Sequence, residues 1–338
     1  MASEQQVGVQ RRHILVLGGT GTIGRATVRT LLSRGHSVVC LVRPVSNQGD
    51  SLSRSAGELA HAGATLRPCD LSDPGSIANE GIRGERFDAM LSCLASRTGA
   101  PDDAWPIDHD CHVAALQQAK ASEIPHVILL SAICVQKPIL EFQKAKLAFE
   151  RKLIASQVDY TIVRPTAFYK SLSGQVERVR QGKPFMVFGD GTLTSCKPIS
   201  DDDLAAYLAD CIDLPERRNR ILAIGGPGKA ITPRMQGEEL FSLIGRPPRF
   251  IHIPIALLDV FIFAFATLGR FVPSLRAKAE FARIGRYYAT ESMLVLNPAN
   301  GRYDADATPS TGSDTLFGYY EQLLEGEVTA ERGEHAVF

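Results

Sequence analysis

The chain has 338 residues, and 37 Lys+Arg balance 37 Asp+Glu, so no global field recruits nucleic acid as a partner. Hydrophobic residues at 44% and charged residues at 22% fit an ordinary folded chain of one large domain plus a smaller lobe, and exclude a disordered or collagen-like one. Seven cysteines scattered singly, with no CxxC pair, exclude an iron–sulfur or zinc-ribbon centre and read as the reduced thiols of a cytosolic protein.

Residues 1–10, MASEQQVGVQ, hold no apolar core and no basic run, which predicts no cleaved export or plastid leader. Apolar, β-branched runs at 13–17, 37–43, 65–69, 88–94, 126–132 and 159–164 then alternate with helical patterns near 22–34, 108–122 and 143–157, the second capped by Asp108. Near-continuous apolar strands separated by helices predict a parallel sheet covered on both faces, a doubly wound α/β (Rossmann) fold over 11–165.

After Pro165 the alternation weakens, and 166–300 is expected to form a mixed substrate-binding lobe, with some strands returning to the core sheet. MVFGDGTLTSC reads as a hairpin around Gly189 to Gly191, PISDDDLAAYLADCI as a helix entered through acidic residues, and ILAIGG as a strand. The most apolar stretch, 253–269 (IPIALLDVFIFAFATLG), is short for a membrane span and carries Asp259, so it reads as buried or surface-associated. Behind it Arg270, Arg276, Lys278, Arg283 and Arg286 face only Glu280, a basic flank suited to an anionic substrate or an anionic bilayer surface. Residues 301–338 read as an acidic, partly mobile tail, because from Pro298 onward eight acidic residues meet only Arg302 and Arg332.

The first strand runs into Gly18-Gly19-Thr20-Gly21-Thr22-Ile23-Gly24, where a strand must turn tightly into a helix and point its N–H groups at a pyrophosphate. Strand two ends in Leu41-Val42-Arg43, without the carboxylate that would accept a ribose 2′-hydroxyl, and a cation there pairs with a 2′-phosphate instead. Arg43, joined by Arg25, therefore predicts NADPH as the cofactor. Asp70 and Leu71 are placed at the adenine edge, Ala95 and Ser96 at the ribose, and Ser131 and Pro165 close the coenzyme set at later strand ends. Asp108-His109-Asp110-Cys111-His112 offers two histidines on one helix face, but the remaining ligands of a metal site are missing, and no metal is assigned.

Phe142-Gln143-Lys144-Ala145-Lys146 resembles the Tyr-x-x-x-Lys of short-chain dehydrogenases, with the lysine kept and the phenol lost. Reduction of a C=C bond conjugated to an electron-accepting system fits that loss, since the anion left by hydride addition is delocalised until an acid protonates it. Taken together, GGTGTIGR, VRP, SAICVQKP, FQKAKLAFE, YTIVRPTAFYKSLSG and GDGTLTSCKPISDDDLA resemble the atypical, NmrA-like short-chain dehydrogenases. More closely, they resemble the NADPH-dependent divinyl (proto)chlorophyllide 8-vinyl reductases, over about residues 12–300. The resemblance implies reduction of an 8-vinyl group to ethyl in chlorophyll or bacteriochlorophyll synthesis, with divinyl chlorophyllide or protochlorophyllide as the partner molecule. The missing leader reads as the bacterial form, cytoplasmic and peripheral to a photosynthetic membrane. Lys146 and Tyr169 are the catalytic candidates, the latter as proton donor, and Phe142, Phe168, Tyr169, Phe261 and Phe265 the substrate wall. Two other readings stay open: a coenzyme-binding regulator or assembly protein without catalysis, and a reductase of phenolic C=C bonds.

Overall fold

The computed structural model describes residues 10–44, 51–269 and 272–328. Six parallel strands appear where the sequence places them: β1 (His13–Leu17), β2 (Ser37–Val42), β3 (Thr65–Pro68), β4 (Ala89–Ser92), β5 (His126–Leu130) and β6 (Asp159–Pro165). Beyond β7 (Phe185–Phe188), β8 (Arg220–Ile224) returns to the sheet and gives the order β3-β2-β1-β4-β5-β6-β8. Alternate residues of each strand feed opposite cores: Ile14, Val16, Val38, Cys40 and Ile128 on one face, Leu15, Leu17, Val39, Leu41 and Leu129 on the other. This is why the strands read as continuous apolar runs, each buried aliphatic side chain contributing roughly 1.5–3 kcal/mol. The Thr22–Ser33 and Asp201–Asp213 helices pack together on the first face, and the Cys111–Ala121 and Glu141–Ile154 helices cover the second. The order reverses between β1 and β4, which opens a crevice above the carboxyl ends of these strands.

Three expectations are corrected, and the choice left open for 253–269, buried or surface-associated, falls to the second. The turn at Gly189 (φ +60°) and Gly191 (φ +83°) starts no hairpin, because β7 instead pairs in parallel with β9 (Phe250–Ile253), some sixty positions later. Asp108 caps nothing: it lies inside a wide helical turn, Trp105–Asp110, with its carboxylate drawn inward and buried. The Ile255–Leu268 helix is no core helix, since none of its residues is buried and Phe263 is 74% exposed. It leans on the Pro273–Thr290 helix as a hairpin, with Arg286 bound to Asp259. Finally, the described part of the acidic tail is built into the lobe. β11 (Arg302–Asp304) pairs with β10 (Val295–Asn297), and the Leu316–Glu325 helix buries Leu316 and Tyr320 against Phe185, Val187 and Phe241. That helix is capped by Thr315 and ended by Gly326 at φ +80°; residues 329–338 lie outside the described residues.

Candidate active site

The glycine turn is shaped by close packing. A Cβ on Gly24 would stand 2.1 Å from the Gly18 carbonyl oxygen, and one on Gly18, itself at φ +71°, 2.5 Å from the Leu94 nitrogen. At exposed Gly21 a Cβ would meet only the Gly18 oxygen, at 3.5 Å, so the outer side of the turn is open to a phosphate. Gly21 is the N-cap of the Thr22–Ser33 helix and has no capping side chain, which leaves the first-turn N–H groups to an anion from outside. Ile23 is buried behind them, and Thr20 and Thr22 are half-buried at the lip. These residues fit a dinucleotide.

One cation here stands at a strand end that the sequence places on the ligand-binding edge, but no role is assigned to it from the sequence. Lys170, from the chain after β6, places its Nζ 2.8 Å from Thr22 Oγ1, at the mouth of the turn. Burial pushes the nearby Asp201 carboxyl up, and Lys170 pulls against that shift. Only the topology of a parallel sheet, which gathers all strand ends on one edge, gave a hint of this meeting.

Arg43 is exposed at the end of β2, on that same edge, while Arg25 reaches Ser55 (3.3 Å) and Glu58 (3.5 Å) in the next helix. Asp70 accepts from the Ser72 hydroxyl (2.7 Å) and N–H (2.9 Å), which hold its carboxyl below the usual range. Leu71 packs against the second-face core. After β4, Ala95 is exposed, and the buried Ser96 donates its hydroxyl to Asp108 at 2.6 Å.

Asp108 is the hinge of the site. Burial alone would raise its pKa, yet the Lys146 ammonium at 2.9 Å and the Ser96 hydroxyl hold it below the usual carboxylate range. Lys146 is thereby fixed one turn from Phe142, whose ring packs in a cluster with Ile133, Cys134, Ile284 and Tyr287 and crowds the Gly99 position. His112 is spent structurally, its ring nitrogens 2.8 Å from Ser92 Oγ and 2.9 Å from the Ile107 carbonyl, and burial lowers its pKa to about 4. His109 turns to its neighbour Asp110 at 2.7 Å. Among the described residues no group of three or more His, Cys, Asp or Glu is placed to hold a metal.

Several expected site residues are elsewhere. The Ser131 hydroxyl donates to buried Glu150, whose carboxylate also takes Arg164, so Ser131 ties the Glu141–Ile154 helix to the sheet. Tyr169, expected as the proton donor, lies in the lobe core with its hydroxyl given to the Asp314 carbonyl. Phe168 bridges to Ile199 beside the first-face core, and Pro165 closes β6. Phe261 and Phe265 stack on each other, centroids 6.0 Å apart, along the exterior helix, and the cluster around Phe142 is built from other residues.

A parallel sheet of this order, with an uncapped glycine turn at its switch point, defines an NAD(P)H-binding protein, and the family model described as NAD(P)H-binding matches residues 18–215. The chain resembles the NADPH-dependent quinone oxidoreductase QOR2 of Escherichia coli, solved with NADPH, at 18% identity and a TM-score of 0.65 over 92% of this chain and 99% of that one, a likeness of fold. It is 48% identical to the divinyl chlorophyllide a 8-vinyl-reductase of Oryza sativa subsp. indica, over 96% of this chain and 82% of that protein. The photosystem II assembly factor Ycf39 of Trieres chinensis is 29% identical, over 92% of this chain and 94% of its own length. The chain belongs to the divinyl chlorophyllide a 8-vinyl-reductase family.

Proposed function

We propose that this protein reduces the 8-vinyl group of a divinyl chlorophyllide to ethyl with NADPH, in chlorophyll or bacteriochlorophyll synthesis. The observation that carries the reading is the 48% identity to a reductase of that name along nearly the whole chain. The site agrees with it. NADPH, once bound, supplies the hydride. The open side of Gly21 and the free N–H groups of the helix it caps receive the pyrophosphate, with Lys170 beside them; Arg43 reads the 2′-phosphate, and Lys146, steadied by Asp108, holds the nicotinamide ribose. Phe142 presents an apolar ring where a carbonyl reductase needs an acid, which suits a vinyl group.

The flank of the hairpin supports a finer statement: the protein works at the cytoplasmic surface of a photosynthetic membrane. Leu257, Val260, Phe261 and Phe263 are exposed on the Ile255–Leu268 helix, and after Arg283 pairs with Glu280 and Arg286 with Asp259, Arg276 and Lys278 leave the hairpin basic. Among the described residues no helix is long and apolar enough to cross a membrane. An apolar face beside a cationic one binds anionic lipid surfaces.

Incubation of purified protein with NADPH and divinyl chlorophyllide, followed by chromatography, tests the reaction. Monovinyl pigment forms mole for mole with NADPH consumed. Coenzyme bound without pigment turnover would overturn the reading in favour of a non-catalytic assembly role.

A further inference from the structure

Loss of the phenol at position 142 leaves the second hydrogen of the reduction without a donor, and the fold brings another phenol to the same place. The end of the Pro273–Thr290 helix is fastened to the turn that follows β5. Tyr287 donates to the Cys134 carbonyl (2.9 Å), Lys137 pairs with Glu291 (2.6 Å), and the Gln136 amide bonds the Leu294 carbonyl (3.0 Å) and the Leu296 N–H (2.8 Å). One face of that helix therefore lies over the first turn of the Glu141–Ile154 helix. Ile284 on it shares the Gly99 contact with Phe142, and Tyr288, one helical turn further, follows on the same side.

Three tyrosines stand at this end. Tyr287 is committed to Cys134, and Tyr303 donates to Glu291 at 2.7 Å. Tyr288 is different. Its ring meets Tyr287 edge-on at 5.7 Å and is partly exposed, and its hydroxyl is directed at the Cys134 thiol, which lies within electrostatic reach of Lys146 and beside Gln143.

We propose that Tyr288 is the acid of the reaction, presented from the lobe in place of the phenol missing at position 142. This rests on the vinyl reduction proposed above. The hydride that bound NADPH would supply leaves its nicotinamide C–H bond with both electrons, giving NADP+, and forms the C–H bond at the terminal vinyl carbon, while the π pair moves to the inner carbon and into the macrocycle. The Tyr288 O–H bond then breaks as the inner C–H bond forms, and the phenolate recovers a proton from water at its exposed side. The surroundings suit this role. Burial pushes the Cys134 thiol up to about 11, so it stays neutral beside the phenol, and burial together with Cys134 and Tyr287 pushes the Tyr288 hydroxyl up as well, so the phenol keeps its proton until a strong carbanion base forms beside it.

Tyr288→Phe removes the proton and keeps the ring. With divinyl chlorophyllide and NADPH, kcat is expected to fall about 100-fold, the magnitude of general acid catalysis. KM for the pigment and Kd for NADPH stay within twofold of the unmutated protein, and the solvent deuterium isotope effect on kcat changes. A kcat within twofold of the unmutated value with the same isotope effect overturns the proposal, as does a loss of NADPH binding in step with kcat, which would mark a structural role. If the unmutated protein converts no pigment in the same assay, the vinyl-reductase reading itself fails.

Discussion

At the coenzyme end, apolar side chains go inside and polar ones find partners. Ile14 to Leu17 have no exposed surface, Asp108 is shared by Lys146 and Ser96, and Glu150 by Ser131 and Arg164. The Ile255–Leu268 hairpin arm does the reverse: it is the most apolar stretch of the chain and buries none of its residues. Hydrophobicity alone does not tell a core from an exposed face. The difference is set by what the topology packs against each segment, and a sheet flanked on both faces leaves no room for a further apolar helix.

Substitutions should hurt at the first region and be silent for stability at the second. The largest effect is expected from Gly24→Ala, whose methyl would stand 2.1 Å from the Gly18 carbonyl oxygen, backbone that cannot step aside. A destabilisation above about 4 kcal/mol follows, enough to remove NADPH binding. Unchanged urea midpoint and coenzyme affinity would break the view of this turn as close-packed. Next comes Asp108→Ala, which strands the Lys146 ammonium and the Ser96 hydroxyl in a dry site and should cost about 3–5 kcal/mol by chemical denaturation.

Acid probes the same sheet, His112 near its coenzyme edge and His126 at the opposite, amino edge of β5. Burial lowers both His112 and His126 to about 4 from the ordinary 6.5, so between those values the unfolded chain binds protons that the folded one refuses. Stability is full above about pH 6.5 and declines on acidification, by roughly 2 kcal/mol for each histidine at pH 5. Denaturation midpoints that stay level from pH 7.5 to 5 would show that these rings are not held neutral. A smaller effect, confined to ligand choice, is expected at exposed Arg43: Arg43→Glu should weaken NADPH by about 2 kcal/mol in calorimetry while NADH changes little. Equal losses would remove Arg43 from 2′-phosphate recognition.

The contrast also explains what could be read from residues alone. The strands and the glycine turn were legible because their cause is local: alternate residues of one strand go to opposite cores, and a strand entering a helix needs glycine at Gly18 and Gly24. Phe142 and Lys146 were legible as a pair because one helix carries both. Asp108 was misread because its side chain is pulled inward by Lys146, 38 positions away. Tyr169 looked like a site residue because it follows a strand end, but the partner that claims its hydroxyl, Asp314, lies 145 positions on, in a segment whose acidity masked its packing. Lys170, its neighbour, was the cation to notice.

The smallest effect on the fold tests the other side of the comparison. Phe263 is 74% exposed and Leu257 44%, so Phe263→Ser combined with Leu257→Ser removes almost no buried area. The urea midpoint should move by less than about 0.5 kcal/mol. Turnover of divinyl chlorophyllide in detergent should persist, because neither residue belongs to the Phe142 cluster. Flotation with vesicles containing anionic lipid should be lost, since the face proposed to enter the lipid headgroups becomes polar while Arg276 and Lys278 alone supply only salt-sensitive attraction. A variant that floats as well as the unmutated protein, or an unmutated protein that stays at the bottom of the gradient, shows that these apolar residues serve no bilayer. A large drop in stability would show instead that the helix is covered after all, and that the two regions obey one rule.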